Sequence, residues 1–374
     1  MKYSKWYDRD LKTSLLGFGC MRFKMDGDKI DEKKAQALID KAYESGVNYF
    51  DTAVPYLDRQ SEEFVGRALK KYDRSSFFLA TKLPVQEYKT SEEVEKAIDA
   101  HLGKLQTDYI DFYLLHAMSK DRLKIVKELG IIDIVKKWKE QGKIRNFGFS
   151  FHDDYETFKE FLDLYDWDFC QIQFNYLDKD IQQGMQGHQD LVDRKIPIVV
   201  MEPLKGGKLV HFNESVESKL KAYSDDAIVK WAFRWVASQK GVMTILSGMN
   251  EMDQLEENLE IFSTFQPLNV EEEKLIDEVT KDLKELEVVG CTKCQYCMPC
   301  PAGVNIPGNF SIINEYEMFK NIGGAKWQYN NLVEKSADAD ACITCEECLP
   351  KCPQFIDIPR ELIKVRDLMK AINK

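Results

Sequence analysis

The chain has 374 residues, which is more than one hydrophobic core usually holds, so two domains are expected. Its formal net charge of −11 argues against a protein that binds the phosphate backbone of nucleic acids. No run approaches the ~20 apolar residues that cross a bilayer, and no apolar segment follows the first residues as in a secretory signal. We therefore expect a cytoplasmic protein without a membrane or nucleic-acid partner.

Short apolar runs alternate with longer amphipathic ones from about residue 15 to about residue 262. Continuous apolar runs are typical of parallel strands that are buried on both faces. The segments between them have helical spacing, as in residues 32–44 and 91–105. The eight predicted strands are residues 15–21, 48–53, 77–83, 110–116, 145–151, 169–174, 196–202 and 243–248.

Eight strand–helix units over roughly 250 residues predict an α/β fold of the TIM (β/α)8 barrel type. The alternative, an open doubly wound sheet, would need a G-x-G-x-x-G loop after an early strand, and the sequence has none. We predict a barrel domain over residues 1–286, with a charged helix over residues 270–286 that leads out of the barrel. Residues 287–374 are predicted to form a second, mainly helical domain.

Four polar side chains lie at the carboxyl ends of predicted strands, where TIM barrels carry their catalytic residues. Asp51 ends the second strand and Tyr56 lies just beyond it, while Lys82 ends the third strand and His116 the fourth. Adjacent strands bring these ends together, so we expect one shared pocket. Taken singly, each residue also has a structural explanation. Asp51 could cap a helix and Tyr56 could be a surface phenol, while Lys82 could be a solvated charge and His116 a core imidazole.

In order, strand and spacing, these positions resemble the catalytic residues of the aldo-keto reductase family, and the resemblance covers the whole barrel. It implies an NAD(P)H-dependent oxidoreductase that interconverts a small aldehyde or ketone and an alcohol by hydride transfer. Tyr56 would exchange a proton with the substrate oxygen, because a nearby Lys82 ammonium lowers its pKa. Asp51 would hold Lys82 in place, and His116 would orient the carbonyl group.

The resemblance also implies where NADP(H) would bind, with NAD as the alternative. Ser150 and Gln171 match the residues that bind the nicotinamide carboxamide, although Phe151 stands where the family has Asn or Arg. Met201 replaces the usual aromatic residue under the nicotinamide, and Gln254 replaces the arginine that binds the 2′-phosphate. The other expected nucleotide neighbours are Cys20, Met21, Asp51, Pro203, Leu204, Gly206, Gly248, Glu257 and Asn258.

Three further residues allow two interpretations each. Cys20 is expected to be a small buried residue and not a reactive thiol. Arg22 could bind a substrate carboxylate, or it could be a surface residue on a rim loop. His188 could contact the substrate, but we expect it to be exposed to solvent.

Eight of the ten cysteines lie in two short runs near the C-terminus. The second run reads C-x2-C-x2-C-x3-C-P, which is the bacterial ferredoxin pattern for a 4Fe–4S cluster, with Cys342, Cys345, Cys348 and Cys352. The first run has a shorter last spacing and consists of Cys291, Cys294, Cys297 and Cys300. Clustered cysteines without a secretion signal indicate metal ligands, so we predict two 4Fe–4S clusters, with two structural zinc sites as the alternative.

In two-cluster ferredoxins, the fourth cysteine of each run binds the other cluster. We therefore expect Cys352 to join the first three cysteines of the first run, and Cys300 to join those of the second. Ferredoxin-like tails of this type occur in a branch of the aldo-keto reductases, which the segment around Cys297 resembles.

Hydride transfer moves two electrons, whereas a cluster passes one, and we see no flavin motif that would convert between them. The clusters are thus expected to be structural or redox-sensing, or to serve a separate flavin or ferredoxin-type redox partner. The alternative for the whole chain is an electron-transfer or redox-sensing protein whose barrel is a cofactor-binding scaffold.

Overall fold

The computed structural model describes residues 1–7, 9–291 and 293–373. The chain divides into two compact units, the first of residues 1–205 and 232–269, the second of residues 206–231 and the chain from residue 270 onward. Within the described part, none of the helices combines the length and the apolar character that crossing a membrane requires.

Eight parallel strands of the first unit close into a barrel, which confirms the predicted fold. Each of the eight predicted apolar runs overlaps one of these strands and agrees with it to within two residues at either end, and their order around the barrel follows the chain. In chain order the described strands are β1 (Tyr3–Trp6), β2 (Arg9–Ser14), β3 (Leu16–Gly19), β4 (Met25–Asp26), β5 (Lys29–Ile30), β6 (Tyr49–Asp51), β7 (Phe78–Leu83), β8 (Ile110–Met118), β9 (Ile144–Phe151), β10 (Phe169–Gln173), β11 (Ile198–Met201) and β12 (Val242–Ser247). The barrel consists of β3 and β6 to β12, whereas β1–β2 and β4–β5 are separate antiparallel hairpins.

Several of the helices that follow the barrel strands begin at a polar side chain that caps the first turn, and each of these buries an apolar stripe. Asp31 accepts a hydrogen bond from the backbone of Lys34 at the start of the first helix, and Thr90 does the same for Glu93 at the start of the third. The described α-helices are α1 (Glu32–Glu44), α2 (Ser61–Leu69), α3 (Ser91–Leu105), α4 (Lys120–Glu128), α5 (Ile131–Glu140), α6 (Tyr155–Leu162), α7 (Gly184–Asp193), α8 (Glu214–Tyr223), α9 (Ile228–Ser238), α10 (Met252–Ser263), α11 (Val270–Glu285), α12 (Ile306–Phe319), α13 (Ile322–Val333) and α14 (Ile358–Ile372).

The hairpin β1–β2 covers the amino end of the barrel. Trp6 is fully buried there, with its ring 4.7 Å from that of Phe112 and 5.9 Å from that of Phe169. Its indole N–H donates to Thr13 Oγ1 at 2.9 Å, so the polar edge of the ring is satisfied inside the core. The carboxyl end of the barrel is therefore the end that remains for chemistry.

The second unit is helical and has a core of its own. That core is formed by α12, α13, α14 and the segments around them, and includes Val304, Phe310, Tyr329 and Val365. The segment before α8 is joined to α12, since Lys208 Nζ donates to Glu315 Oε2 at 2.6 Å. Helix α11 lies in this unit, and the predicted domain boundary between residues 286 and 287 stays a prediction.

Candidate active site and cysteine pockets

A buried ion pair lies at the carboxyl end of the barrel. Asp51 is the last residue of β6, and Lys82 lies on the neighbouring strand β7. Lys82 Nζ donates to Asp51 Oδ1 at 2.5 Å, to the carbonyl of Thr52 at 2.9 Å and to the hydroxyl of Tyr56 at 3.0 Å. The structure thus brings three of the four predicted catalytic residues into direct contact.

The charges of this pair depend on each other. Burial by itself lowers the pKa of Lys82, but Asp51 and Tyr56 outweigh it, and the pKa lies above its ordinary value. Burial raises the pKa of Asp51, and Lys82 opposes that shift without cancelling it. Lys82 therefore remains a positive charge at neutral pH, deep in the barrel.

The phenol of Tyr56 keeps its proton in this environment. Burial raises its pKa, and Lys82, 4.7 Å from the ring centre, lowers it by less. The sequence-based expectation of a net lowered pKa is therefore wrong for the protein alone, because desolvation outweighs the ammonium. A protonated phenol is nevertheless the form that a proton donor requires.

His116 completes the group on strand β8. Its ring meets that of Tyr56 edge to face, with 6.0 Å between centroids. Burial, and after it Lys82, Arg122 and His152, lowers the pKa of His116 to about 3. The imidazole is therefore neutral at physiological pH and can donate a hydrogen bond without carrying charge.

Sequence reasoning missed Arg122 and His152 as neighbours of His116. Both lie within a few residues of the carboxyl end of a barrel strand, Arg122 after β8 and His152 directly after β9. A search of the segments that follow each predicted strand would have found them. Neither the apolar pattern nor the family positions pointed to them.

A buried polar network lies beside the ion pair and was also missed. Glu62 on α2 accepts a hydrogen bond from Thr81 Oγ1 at 2.7 Å and contacts His101 Nδ1 at 2.6 Å. One residue earlier, the hydroxyls of Ser61 and Thr52 lie 2.7 Å apart. Because Thr81 precedes Lys82 and Thr52 follows Asp51, helix α2 holds the strand ends that carry the ion pair.

The expected nicotinamide residues are buried at the same end of the barrel. Within the described residues, Gln171 Oε1 is buried without a hydrogen-bond partner. Ser150 is also buried, and its Oγ accepts from the backbone N–H of Ala117 at 2.6 Å. A buried acceptor without a donor is costly, and a carboxamide NH₂ is a donor of the kind that would satisfy it. These residues therefore fit a nicotinamide.

Cys20 and Met21 follow strand β3. Cys20 is fully buried, and burial, followed by Asp51, raises the pKa of its thiol well above the usual value. Its surroundings are therefore those of a small buried residue, as expected. Met21 is largely exposed.

The remaining nucleotide positions lie after β11 and β12. Gln254 and Glu257 are exposed on α10, and Gln254 Oε1 accepts from the backbone of Asn250 at 3.1 Å. Asn258 is buried and donates to Ser247 Oγ at 3.1 Å. Met201 is the last residue of β11, and Pro203 and Leu204 follow it. Gly206 (φ +66°) is the first residue of the second unit.

Arg22 and His188 are placed by the structure. Arg22 is half-exposed and packs over Gly248, where an added Cβ would lie 2.6 Å from Arg22 Cγ. The expectation that His188 is exposed was wrong. His188 is buried, its ring stacks on Phe174 at 4.9 Å, and Nε2 hydrogen-bonds the carbonyl of Lys240 at 2.9 Å.

Two pockets in the second unit are lined by four cysteines each. The first is lined by Cys291, Cys294, Cys297 and Cys352, and the second by Cys300, Cys342, Cys345 and Cys348. Cys294 and Cys345 are exposed, whereas the other six thiols pack against the core of the unit. Within the described residues, no group of three or more His, Cys, Asp or Glu side chains is arranged to hold a single metal ion.

The thiols within each pocket influence each other. Burial raises the pKa of Cys297, and Cys291, Cys294 and Cys352 raise it further. In the second pocket burial and the other three thiols raise the pKa of Cys348 to about 11. Four cysteines line each pocket, and because iron–sulfur clusters are held by four cysteine ligands, the donor set fits such a cluster.

Residues 15–281 match the aldo/keto reductase family. The chain belongs to this family. Residues 290–356 of this aldo/keto reductase match a 4Fe-4S dicluster domain, which favours iron–sulfur clusters over zinc. Its relatives are named as dehydrogenases and reductases, so the chain is an oxidoreductase.

Two curated relatives show the extent of the similarity. L-galactose dehydrogenase of Arabidopsis thaliana is 26% identical over 309 residues, which are 74% of this chain and 93% of that protein. The NADH-specific methylglyoxal reductase of Escherichia coli is 26% identical over 302 residues, which are 67% of this chain and 90% of that protein.

Solved structures extend the comparison. An aldo-keto reductase from Bacillus halodurans in its holo form has a TM-score of 0.62 at 27% identity, over 75% of this chain and 96% of that one. The aldo-keto reductase of Klebsiella pneumoniae in complex with NADPH has a TM-score of 0.60 at 20% identity, over 72% of this chain and 92% of that one. At 20% identity, the similarity to the Klebsiella pneumoniae structure shows the fold alone.

Proposed function

We propose that the protein interconverts an aldehyde or ketone and an alcohol with a nicotinamide nucleotide, and that Tyr56 exchanges the proton. The observation that supports this most directly is the Lys82 ammonium, which donates to Tyr56 at 3.0 Å and to Asp51 at 2.5 Å. When bound, the nicotinamide supplies or accepts the hydride at the carbonyl carbon.

The protein's own residues handle the oxygen of the substrate. In reduction that oxygen gains negative charge and needs a proton, which the protonated phenol of Tyr56 holds ready. Lys82 stabilises the phenolate left behind, since it already opposes the rise of the Tyr56 pKa. Neutral His116 donates a hydrogen bond that orients the carbonyl, and in oxidation the proton returns to Tyr56 by the reverse path.

The nucleotide is proposed to be NADP(H), as is usual in the family, with NAD(H) as the alternative. Gln171 and Ser150 would hold the carboxamide. Gln254 stands where the family has an arginine for the 2′-phosphate, and Asp253 adds a negative charge to the first turn of α10. Titration with NADPH and NADH measures the preference, and Gln254→Arg should strengthen NADPH binding about ten-fold while leaving NADH unchanged.

The proposed proton donor is tested with Tyr56→Phe in the complete, anaerobically purified protein. Turnover of an aromatic aldehyde, followed by loss of reduced nicotinamide, should fall by about a hundred-fold or more, with nucleotide affinity retained. Tyr43→Phe is the matched control, because Tyr43 lies on α1 and contacts Ser76 outside the site. A Tyr56→Phe protein with undiminished turnover would show that Tyr56 is not the proton donor.

We propose further that each cysteine pocket holds one 4Fe–4S cluster, which would pass single electrons. The first set joins Cys352 to the first run, and the second joins Cys300 to the second run. The support is the lining of the two pockets by four cysteines each. We place the cluster domain at residues 287–374, the barrel domain at residues 1–286, and the protein in the cytoplasm.

Double variants test which cysteines share a cluster. Iron and sulfide analysis of the wild type should give about eight of each per chain. Cys294→Ser with Cys352→Ser should remove about half of the iron, because both lie in one set, whereas Cys345→Ser with Cys352→Ser should remove nearly all of it. The opposite pattern would show that each run binds its own cluster.

The clusters are proposed to be structural or redox-sensing, or to serve a flavin or ferredoxin-type partner. The reason is that the chain has no flavin motif to divide a hydride into single electrons. Adding NAD(P)H alone should leave the visible absorbance of the clusters unchanged. Bleaching under these conditions would show direct electron transfer within the chain.

A further inference from the structure

The turn that follows His116 has an unusual backbone conformation. Ala117 has φ +54°, a left-handed value that residues with a Cβ rarely adopt. Such a conformation persists only where the surroundings hold it. The turn directly follows the imidazole that meets the ring of Tyr56.

Polar side chains from two other elements hold this turn. The N–H of Ala117 donates to Ser150 Oγ on β9 at 2.6 Å. From helix α4, Arg122 Nη1 donates to the carbonyl of His116 at 3.2 Å and also to the carbonyl of Ala117. The peptide groups on both sides of the left-handed residue are therefore bound, and a single guanidinium nitrogen binds two of them.

We propose that Arg122 is a positioning residue, which holds the His116–Ala117 turn so that the imidazole points at the substrate oxygen beside Tyr56. The inference rests on the proposed role of His116 in carbonyl reduction. Arg122 acts through the backbone of His116, and a lysine could not replace it fully, because an ammonium lacks the planar fork of donors. Nothing in the family resemblance assigns this residue.

The charge of Arg122 has a second effect on the same imidazole. The groups that face His116 are Lys82 from β7, Arg122 from α4, His152 after β9 and the ring of Tyr56 from the loop after β6. Burial is the largest cause of the low pKa of His116, and the neighbouring positive charges add to it. Removing the Arg122 charge should therefore raise that pKa towards the ordinary histidine value.

Three variants of the full-length holoprotein separate the two effects. Arg122→Gln removes both the charge and the two-carbonyl contact, while Arg122→Lys keeps the charge. Lys124→Gln removes a charge from the exposed side of the same helix, where Lys124 pairs with Asp121 at 3.5 Å, and is the control. The readouts are kcat with an aromatic aldehyde, the dissociation constant of the nucleotide, and the NMR pH titration of the His116 ring, assigned with His116→Asn.

Arg122→Gln should lower kcat about ten-fold or more, raise the His116 pKa and leave nucleotide affinity unchanged. In Arg122→Lys the His116 pKa should equal that of the wild type, while kcat should stay as low as in Arg122→Gln. Lys124→Gln should change neither the His116 pKa nor kcat. An Arg122→Gln protein with wild-type kcat and His116 titration would overturn the inference. If the wild type itself lacked turnover, the proposed function would fail, while the ring titration and the chemical shift of His116 would still decide whether Arg122 acts on it.

Discussion

Lys82 Nζ lies 3.0 Å from the hydroxyl of Tyr56 and 4.7 Å from the centre of its ring. The ammonium is thus placed where a phenolate oxygen would develop, and Lys82 is shielded from bulk water while Tyr56 is part-buried. In such surroundings a fixed charge is worth more than in solution, because nothing needs to reorganise when the proton moves.

The first prediction concerns the pH dependence of alcohol oxidation, which under the proposed function requires the phenolate of Tyr56. Since Lys82 lowers the pKa of Tyr56, Lys82→Met should raise it further. The rising, acid-side limb of the pH profile of kcat for oxidation should then move to higher pH, and the rate at neutral pH should fall. Asp51→Asn combined with Lys82→Met is the folding control, because it leaves no unpaired buried charge. An unchanged profile would contradict the assigned role of Lys82.

The second prediction concerns stability in acid and the buried carboxylate of Glu62. Burial raises the pKa of Glu62, but His101 and Thr81 outweigh it, so the pKa lies below 4.5. A carboxylate with a depressed pKa stabilises the fold above its unfolded-state pKa of about 4.3, and this contribution is lost as pH falls through the folded value.

Glu62→Gln should therefore lower the free energy of unfolding at neutral pH by about 1–3 kcal/mol and reduce its dependence on pH in acid. Urea denaturation across this pH range measures both quantities. Glu63→Gln, on the exposed side of α2, is the matched control and should change little. Equal effects of the two substitutions would show that the buried network does not stabilise the strand ends.

The third prediction compares two helical glycines. A Cβ added at Gly66 on α2 would lie 2.4 Å from the carbonyl oxygen of Lys104 and 2.7 Å from the carbonyl carbon of Leu105, whereas one at Gly103 on α3 would meet nothing within 4 Å. Gly66→Ala should destabilise the protein by about 1–3 kcal/mol. Gly103→Ala should stabilise it by up to about 1 kcal/mol, because alanine is the better helix former. Thermal unfolding of both variants measures these stability changes. A Gly66→Ala protein as stable as the wild type would mean that α2 and α3 pack less closely than the structure shows.

The fourth prediction concerns nucleotide binding by Gln171, whose buried Oε1 lacks a partner within the described residues. Gln171→Met keeps the side-chain volume but removes the acceptor, so the dissociation constant of the reduced nucleotide should rise about ten-fold. Calorimetric titration of the complete protein measures it. Gln189→Met, an exposed glutamine on α7 that pairs with Asp193, should bind as the wild type does.

The barrel was predictable because its strands are buried on both faces and therefore read as continuous apolar runs. Asp51, Lys82 and His116 were predictable for the same reason, since each lies at the end of such a run. Arg122 and Glu62 were not, because they lie on helices, where apolar spacing indicates the buried face but not which polar side chain turns towards the barrel. His188 was wrongly expected to be exposed, because its neighbours in the sequence are mostly polar. Its side chain nevertheless lies on the buried face of helix α7.

The sequence alone determined that the chain has a barrel and two cysteine runs, because local periodicity and spacing encode these features, and its resemblance to a family indicated candidate catalytic residues at the strand ends. The tertiary structure decided the pKa shifts and the contacts that arise between segments far apart in the sequence. Burial of Tyr56 raises its pKa despite Lys82, and Arg122 from helix α4 donates to the backbone carbonyls of His116 and Ala117. Desolvation and contacts across the chain arise only when the segments pack together, so no local pattern records them.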